Sequence, residues 1–384
     1  MEVTDIGHNN SDAILFHIKS SCCAWWVAVR CSRLLALRLL MYGRLAMVLF
    51  RSTVSTLSFL LPAIVMHLVH PVCGYASGPL PSWNDGSAKT AIIEFVEKVT
   101  TEGTEGYVVP EERVAVFDND GTLWPENPIP FQMAYALDQL KRLAPDHPEW
   151  RKDPLLAAAL DADMATVRGQ LKEVVGSVMA KTHAGMTTEE FNRLVRDWMA
   201  RAKHPRFRRP YAELGYQPMQ EVIDYLRKNG FRIHIVSGGG ADFMRAWSEQ
   251  VYGIPPEQAV GSIGAVRFEM RDGKPVLIKE PKLEFVNDKD GKPIAIHRHI
   301  GRRPLAAFGN SDGDEAMLEW TTVGRSPSLG LIVHHTDAQR EYAYDENPQS
   351  SGRLKTALAA AKKRGWIVVD MAKDWNQLFA KPSL

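Results

Sequence analysis

A short apolar run that ends in two carboxylates restricts the fold of this 384-residue chain more than any other feature. Residues 114–117 are Val-Ala-Val-Phe, and Asp118, Asn119, Asp120 and Gly121 follow directly. Such a run predicts a buried strand with a turn at its carboxyl end, the edge where open parallel α/β sheets bind ligands. Two carboxylates there suit a hard cation, or a nucleophile and a proton carrier. An ordinary turn of Asp, Asn and Gly is the alternative interpretation.

Two later segments repeat this arrangement of an apolar run followed by a polar turn. Residues 231–236 lead into Ser237, Gly238 and two further glycines, after a helical pattern at 218–228 that Gly230 closes. Residues 305–308 lead into the turn 309–314, whose sequence is Gly-Asn-Ser-Asp-Gly-Asp, and a helix is expected to start at residue 315. The glycine amides after Ser237 are predicted to lie at a helix N-terminus, where anions bind.

The order of these three signals resembles the haloacid dehalogenase (HAD) superfamily, whose phosphatases carry an Asp two residues after the nucleophile. The resemblance extends from about residue 88 to the carboxyl terminus. It implies an α/β fold, a HAD-like Rossmannoid doubly wound parallel sheet with an inserted helical cap domain. It also implies a Mg²⁺-dependent phosphomonoester hydrolase that acts through an aspartyl-phosphate intermediate. Phosphoserine and phosphocholine phosphatases are the nearest resemblances.

The resemblance assigns a role to each residue of the first two motifs. Asp118 attacks phosphorus, and Asp120 protonates the leaving alkoxide, then deprotonates the hydrolytic water. In the family, the second Asp also meets the metal through its backbone carbonyl. Ser237 and Gly238 are expected to bind phosphoryl oxygens, and Thr122 offers a hydroxyl and an amide to phosphate or to the loop.

The phosphate-binding lysine has two candidates, because the sequence Asp-Gly-Lys-Pro occurs at 272–275 and again at 290–293. Both copies are good turns, in which a surface lysine is the ordinary expectation. Lys292 precedes a helical pattern at 294–300 and the strand of the acidic turn, where the family keeps this lysine. We therefore expect Lys292 to bind phosphate and Lys274 to belong to an exposed hairpin.

The predicted Mg²⁺ site consists of Asp118, Asp120, Asn310 and Asp314, by the same resemblance. Asn310 stands where most such phosphatases have an Asp, so its amide oxygen brings no charge and metal affinity could fall. Asp312 is an extra carboxylate that could replace the missing one. His334 and His335 are not expected to share a metal, because neighbouring strand residues point to opposite faces.

The long insertion between the first two motifs is helical by its periodicity, at residues 134–143, 154–163, 164–179 and 187–202. Thr187 and Glu190 form a capping box. We assign residues 129–212 to the cap and residues 77–128 and 213–384 to the core. A cap at this position predicts a small-molecule substrate, because it closes over the site and excludes water. Trp124, Pro125 and Glu126 are candidates for leaving-group contacts, although Trp124 fits a packing role equally well. Further βα units follow, with strands at 329–333 and 366–369 and a helix at 352–363.

The amino-terminal residues predict export. An uncharged run at 54–69 follows Arg51, and Gly74-Tyr75-Ala76 resembles a cleavage site, so residues 47–76 are expected to be a signal peptide. Residues 1–46 would be a spurious or unstructured extension, and residues 77–82 a flexible linker. All four cysteines precede Ala76. The mature protein would be periplasmic or secreted, and a retained membrane anchor is the alternative.

Alternative functions remain open within this interpretation. A net charge of +1 argues against a nucleic-acid partner and leaves a small phosphorylated substrate as the expected one, with no stable membrane partner after cleavage. Asp120 disfavours dehalogenation. A phosphotransferase of the same fold, or a catalytically weak binding protein that holds metal poorly through Asn310, fits the same residues.

Overall fold

The computed structural model describes residues 78–381. The predicted signal peptide, the upstream extension and the four cysteines lie outside the described residues. Within the described part of the chain, none of the helices has both the length and the apolar character that a membrane crossing requires.

Seven strands form one sheet. They are Val114–Phe117 (β1), Arg232–Gly240 (β2), Ala259–Arg271 (β3), Lys274–Phe285 (β4), Ala306–Gly309 (β5), Leu329–His334 (β6) and Ile367–Asp370 (β7). Their order is β4-β3-β2-β1-β5-β6-β7, and all neighbours are parallel except β3 and β4. The chain order reverses at β1, between β2 and β5, which is the switch point where such sheets bind ligands. The predicted α/β class with a doubly wound sheet is confirmed, and β4 adds one antiparallel edge strand.

The central strand is buried on both faces because its side chains alternate between two hydrophobic cores. Ala115 and Phe117 belong to one cluster, and Val114 and Val116 belong to the other. Phe117 stacks on Phe308 of β5, with ring centroids 4.2 Å apart. A strand covered on both faces needs an uninterrupted apolar run, which is what residues 114–117 provide.

The helices flank this sheet and form the insertion. They are Ser87–Thr100 (α1), Phe131–Leu143 (α2), Pro154–Leu160 (α3), Met164–Gly169 (α4), Leu171–Thr182 (α5), Thr188–Arg201 (α6), Gln217–Lys228 (α7), Ala241–Arg245 (α8), Ser248–Tyr252 (α9), Gly291–Ala295 (α10), Glu315–Thr322 (α11), Thr356–Arg364 (α12) and Met371–Asp374 (α13). The insertion between β1 and β2 comprises α2 to α6. Its boundaries at 129 and 212 stay a prediction.

Several helix predictions differ from the structure. The helix expected at 154–163 ends at Leu160, and the one expected at 134–143 begins at Phe131. The single helix expected at 164–179 is divided between α4 and α5, because Gly169 favours a helix poorly and Gln170 leaves helical geometry at φ −127°. The helix expected at 352–363 begins only at Thr356, since Gly352 has a left-handed φ of +84°. The helix expected at 294–300 starts earlier, at Gly291, and its residues Ile296–Ile300 form a π-helical turn.

The insertion packs partly on itself and partly on the core. Leu140, Val167 and Val174 belong to a hydrophobic cluster within α2 to α5, whereas Phe191 of α6 belongs to the main core. The predicted capping box of α6 is confirmed: Thr187 Oγ1 accepts from the Glu190 amide at 3.0 Å, and the Glu190 carboxylate accepts from the Thr187 amide at 2.9 Å.

The β3–β4 hairpin lies against the insertion. Lys279 of β4 donates its amide to the Met186 carbonyl at 3.0 Å, and its ammonium contacts the Asp242 carboxylate. Asp272 and Gly273 form the tip with φ of +51° and +74°, as a two-residue hairpin turn requires. The prediction that Lys274 belongs to an exposed hairpin is therefore confirmed.

The segment that precedes α1 is packed rather than flexible. Leu80 is buried, and Ser82 donates its hydroxyl to Glu221 Oε1 at 2.6 Å. Trp83 donates its indole N–H to the Pro218 carbonyl at 2.9 Å. The prediction of a flexible linker at 77–82 is therefore wrong for its last three residues, because the apolar side chain and the hydroxyl find partners in the core.

Candidate active site

The carboxyl ends of β1, β2 and β5 meet around a cavity of about 540 Å³. Five of the eight predicted site residues line it: Asp118, Asp120, Ser237, Gly238 and Lys292. They come from three separate chain segments, which the parallel sheet brings to one edge. Thr122, Asn310 and Asp314 lie behind these residues and do not line the cavity.

A buried ammonium group lies between two carboxylates at the base of the cavity. Lys292 Nζ is 2.6 Å from Asp118 Oδ1 and 2.5 Å from Asp314 Oδ1. Lys292 is in the first turn of α10, so the second Asp-Gly-Lys-Pro sequence starts a helix instead of forming a hairpin turn. The structure thus selects Lys292 over Lys274 as the lysine of this site.

Burial perturbs the charges of this group. Burial and the neighbouring Asp314 raise the pKa of Asp118, and the Lys292 ammonium opposes that rise. Burial lowers the pKa of Lys292, but the carboxylates of Asp118 and Asp314 outweigh it and hold the pKa above its ordinary value. With Asp120 beside them, carboxylates outnumber the one ammonium, and such a surplus favours a bound cation.

Asp120 is held by Trp124, whose role the sequence left open between a leaving-group contact and packing. Trp124 Nε1 donates to Asp120 Oδ1 at 2.8 Å, and the indole packs on Trp247 with ring centroids 4.2 Å apart. Trp124 is fully buried and does not line the cavity, so it packs and positions Asp120 rather than touching a leaving group. Burial raises the pKa of Asp120, although the Trp124 hydrogen bond opposes this effect. A raised pKa suits a carboxyl group that must first carry a proton.

The glycines after Ser237 have a different secondary structure from the one predicted. Strand β2 continues through Gly240, and α8 begins only at Ala241. The Gly239 amide donates to Ser237 Oγ at 3.1 Å, and the Gly240 amide donates to Gln132 Oε1 at 2.7 Å. The predicted helix N-terminus at Gly238 and Gly239 is therefore wrong. The Ser237 hydroxyl lines the cavity and keeps its own proton free to donate.

Asp314 supports the loop rather than facing the cavity. Its Oδ2 accepts the amides of Asn310 and Ser311, both at 3.0 Å, while Oδ1 accepts from Lys292. It is completely buried. Both oxygens are engaged within the protein, and this geometry does not support the predicted direct contact between Asp314 and the metal.

Thr122 and Asn310 contact each other. The Thr122 hydroxyl donates to Asn310 Oδ1 at 3.0 Å, so it orients the Asn310 amide. Of its two predicted partners, the hydroxyl therefore contacts the loop and not phosphate. Gly121 allows this contact: its φ is +81°, and a Cβ there would lie 2.1 Å from Asn310 Nδ2.

Glu126 is the carboxylate beside Asn310. It lines the cavity, and its Oε1 accepts from Asn310 Nδ2 and from the Tyr344 hydroxyl, both at 2.7 Å. Burial raises the pKa of Glu126 to about 7. Asp312, the replacement suggested by the sequence, instead accepts the amides of Lys355 and Ala357 at 2.7 and 3.0 Å and caps α12.

His335 supports the first motif from behind. Its Nε2 is 2.7 Å from the Gly121 carbonyl oxygen, and its Nδ1 is 3.0 Å from Glu341 Oε2. The bond to Glu341 is the local kind expected at a strand end, whereas the bond to Gly121 crosses to the first motif. Among residues 78–381, no three His, Cys, Asp or Glu side chains are grouped to hold a metal. A cation at this site therefore needs an amide or backbone carbonyl oxygen in addition to carboxylates.

Sequence reasoning missed the contacts that cross the chain. Gln132, Tyr344 and His335 act through partners more than 100 residues away, and no local pattern marks them. The loop residues 350–353 also line the cavity, and the sequence predicted that a helix starts within them, at residue 352. The left-handed Gly352 was the one local signal available, because glycine is typical of such a position.

A family model described as haloacid dehalogenase-like hydrolase matches residues 115–319, which is more than half of the chain and includes all eight predicted site residues. No curated protein sequence matches the chain.

Similar solved structures include a protein of unknown function from Anaerococcus prevotii DSM 20548. It is 17% identical, with a TM-score of 0.43 over 65% of this chain and 85% of that chain. A protein of unknown function from Bordetella pertussis Tohama I is 16% identical, with a TM-score of 0.41 over 68% of this chain and 99% of that chain. A phosphoserine phosphohydrolase-like protein from Francisella tularensis is 13% identical, with a TM-score of 0.31 over 65% of this chain and 98% of that chain. Similarities of this size carry no argument about activity.

Proposed function

This chain belongs to the haloacid dehalogenase-like hydrolases, and we propose that it is a Mg²⁺-dependent phosphatase of small phosphomonoesters. One observation carries the proposal: Asp118, Asp120, Ser237 and Lys292 line a single cavity at the switch point of the sheet. A nucleophile, a proton carrier, a hydroxyl donor and a cation are the groups that phosphoryl transfer requires.

The reaction begins at Asp118. One of its carboxylate oxygens forms a bond to phosphorus while the bond from phosphorus to the leaving oxygen breaks. Asp120 donates its proton to that leaving oxygen. In the second half, Asp120 takes a proton from water, and the water oxygen displaces the Asp118 carboxylate from phosphorus, which regenerates both groups.

Lys292 and Ser237 stabilise the transferring phosphoryl group. The ammonium lies 2.6 Å from Asp118 and is fixed on its other side by Asp314, so it does not reorganise as charge develops. The Ser237 hydroxyl donates to a phosphoryl oxygen, since it accepts from the Gly239 amide and its own proton remains available.

The donor set fits a hard cation. The Asp118 carboxylate and the Asp120 backbone carbonyl would hold it. The Asn310 amide oxygen accepts from Thr122 through one lone pair and would offer the other to the cation from behind the cavity lining, with Glu126 beside Asn310. When bound, Mg²⁺ supplies positive charge to the phosphoryl oxygens and keeps the Asp118 carboxylate ionised.

Hydrolysis of p-nitrophenyl phosphate tests this proposal. We expect turnover in Mg²⁺, loss of turnover in EDTA, and a fall of roughly 10³-fold or more for Asp118→Asn. Asp290→Asn removes the same charge from an exposed residue and serves as the matched control. Metal-independent activity that is equal in the wild type and in Asp118→Asn would contradict the proposal.

We also propose that the protein is exported. The uncharged run at 54–69 and the small residues around Ala76 support this proposal from the sequence alone. Expression of the full chain in a bacterium, followed by fractionation and amino-terminal sequencing, tests it. The expected product is periplasmic and begins at residue 77, whereas an uncleaved product in the membrane fraction would favour a retained anchor, and an uncleaved cytoplasmic product would contradict export.

A further inference from the structure

The insertion contributes an apolar wall to the active-site cavity. The wall residues come from the start of α2 and from α5, and they are Pro130, Met133, Ala136, Val175 and Met179. Gln132 is the one polar lining residue from the insertion, and its Oε1 is already bonded to the Gly240 amide. A group that contacts this wall therefore meets mainly carbon and sulfur atoms.

The charged lining residues all belong to the core side of the cavity. Glu126 is bonded to Asn310 and Tyr344, and Asp312 caps a helix. Lys289 and Arg353 are exposed to solvent. None of the described residues that line the cavity is aromatic.

We propose, on the basis of the phosphatase function above, that the preferred substrates are phosphate monoesters of uncharged, apolar alcohols. The phosphoryl group occupies the base of the cavity at Asp118, Ser237 and Lys292, and the alkyl or aryl leaving group lies along the wall of Met133 and Met179. This class differs from the serine and choline esters suggested by the nearest sequence resemblances.

The chemistry of the wall disfavours charged leaving groups. A carboxylate or ammonium group placed against Met133 and Val175 would lose hydration without gaining an ionic partner from the wall. Choline is recognised by the faces of aromatic rings, and the described cavity lining has none. An apolar chain at the same place loses only unfavourable contact with water.

The size of the cavity allows an extended leaving group. About 540 Å³ lies within the range of about 300–1,000 Å³ that is typical of small-molecule sites. Methionine side chains are flexible and polarisable and adapt to different shapes. We therefore expect selection by apolar length rather than by one exact shape.

A series of n-alkyl phosphates from methyl to hexyl measures this preference. We expect kcat/KM to rise about fourfold per methylene, which corresponds to about 0.8 kcal/mol, mainly through a falling KM. Phosphoserine and phosphocholine should be hydrolysed less efficiently than butyl phosphate. A flat or falling series, or phosphoserine as the best substrate, would overturn the inference.

Wall variants show whether the preference arises at this surface. Met133→Gln and Met179→Gln should each reduce the ratio of kcat/KM for hexyl phosphate to that for methyl phosphate, because an amide replaces apolar contact at similar volume. Met270→Gln makes the same change at an exposed position of the hairpin and should leave the ratio unchanged. A ratio that changes in none of the three variants would overturn the role of the wall.

Two further measurements separate this inference from the proposed function. Acetyl phosphate has almost no apolar body, and its acetate group leaves without a proton donor, so its hydrolysis reports phosphoryl transfer to Asp118 independently of the wall. Calorimetric binding of methyl-, butyl- and hexylphosphonate to the wild-type protein reports the wall without turnover. If acetyl phosphate is hydrolysed and the three phosphonates bind with equal affinity, only the preference for apolar leaving groups is rejected. If phosphonate affinity rises with chain length but no ester is hydrolysed, the phosphatase function is rejected.

Discussion

Asn310 and Glu126 together bring one ionisable carboxyl group to the acidic turn, as a single Asp would. Asn310 presents its oxygen to Thr122 and its nitrogen to Glu126, so the orientation of the amide is determined from both sides. In the proposed cation site, this pairing would place a carboxyl group next to the uncharged Asn310. The sequence signalled the missing charge at Asn310, but it suggested Asp312 as the replacement.

Removing the Glu126 charge should weaken metal binding. We expect Glu126→Gln to lower Mg²⁺ affinity by roughly tenfold or more, as loss of a partner behind a metal ligand commonly does. The double variant Asn310→Asp/Glu126→Gln, which moves the charge by one residue, should recover part of the loss. Calorimetric titration with Mg²⁺ measures this. Asp312→Asn is the matched control, and a larger loss in that variant than in Glu126→Gln would contradict the assignment.

Trp124 should act through Asp120. Trp124→Phe keeps the packing against Trp247 but removes the N–H donor, so Asp120 loses its fixed position and kcat should fall about tenfold. Since that hydrogen bond lowers the pKa of Asp120, its loss should move the alkaline limb of the pH–rate profile upward. Trp198→Phe removes an equivalent 2.8 Å bond to Asp138 in the insertion and should do neither. An unchanged pH profile in Trp124→Phe would assign the tryptophan to packing alone.

At the scale of elements, His204 joins the two chain segments that connect the insertion to the core. It follows α6, and its Nε2 is 3.0 Å from the carbonyl oxygen of Asn127, which precedes α2. Its Nδ1 accepts from the Arg206 amide at 3.2 Å, so the neutral ring donates through Nε2. Burial lowers the pKa of His204 to about 4, despite the Asn127 hydrogen bond.

Acid should therefore weaken this connection. In the unfolded chain His204 binds a proton near pH 6.5, whereas in the folded protein it binds one only near pH 4. The stability that depends on neutral His204 is therefore fully present above pH 6.5 and is lost as the pH falls towards 4. The loss approaches roughly 3 kcal/mol of unfolding free energy, at about 1.4 kcal/mol per pKa unit. Urea unfolding from pH 7 to pH 4 should show a shallower decline in His204→Gln than in the wild type. His147→Gln changes an exposed histidine, and equal slopes in all three proteins would contradict this account.

The boundaries of helices and strands were predictable where an apolar pattern extends over many residues. They were poorly predictable where a single glycine determines the end or the start of a helix. The strands β1, β2, β5, β6 and β7 follow from short apolar runs, and α7 follows from its amphipathic pattern. The break at Gly169 and the delayed start of α12 depend on one residue each, and a window over many residues hides such positions.

At the scale of the whole molecule, the sheet explains how much of the site the sequence could reveal. Parallel strands place their carboxyl ends at one edge, so Asp118, Ser237 and the turn after β5 had to meet once their strands were recognised. The pairing of Glu126 with Tyr344 and the contact of Gln132 could not be found in this way. These contacts depend on how the insertion and the carboxyl-terminal loop fold over that edge. The apolar wall has the same origin.

Mass spectrometry of the protein quenched in acid during turnover tests the central claim, that Asp118 takes phosphorus covalently. With p-nitrophenyl phosphate and Mg²⁺, we predict one added phosphoryl group on the peptide that contains Asp118, absent from Asp118→Asn. Steady turnover with no phosphorylated peptide at any quench time, or with the phosphoryl group on another residue, would contradict the account.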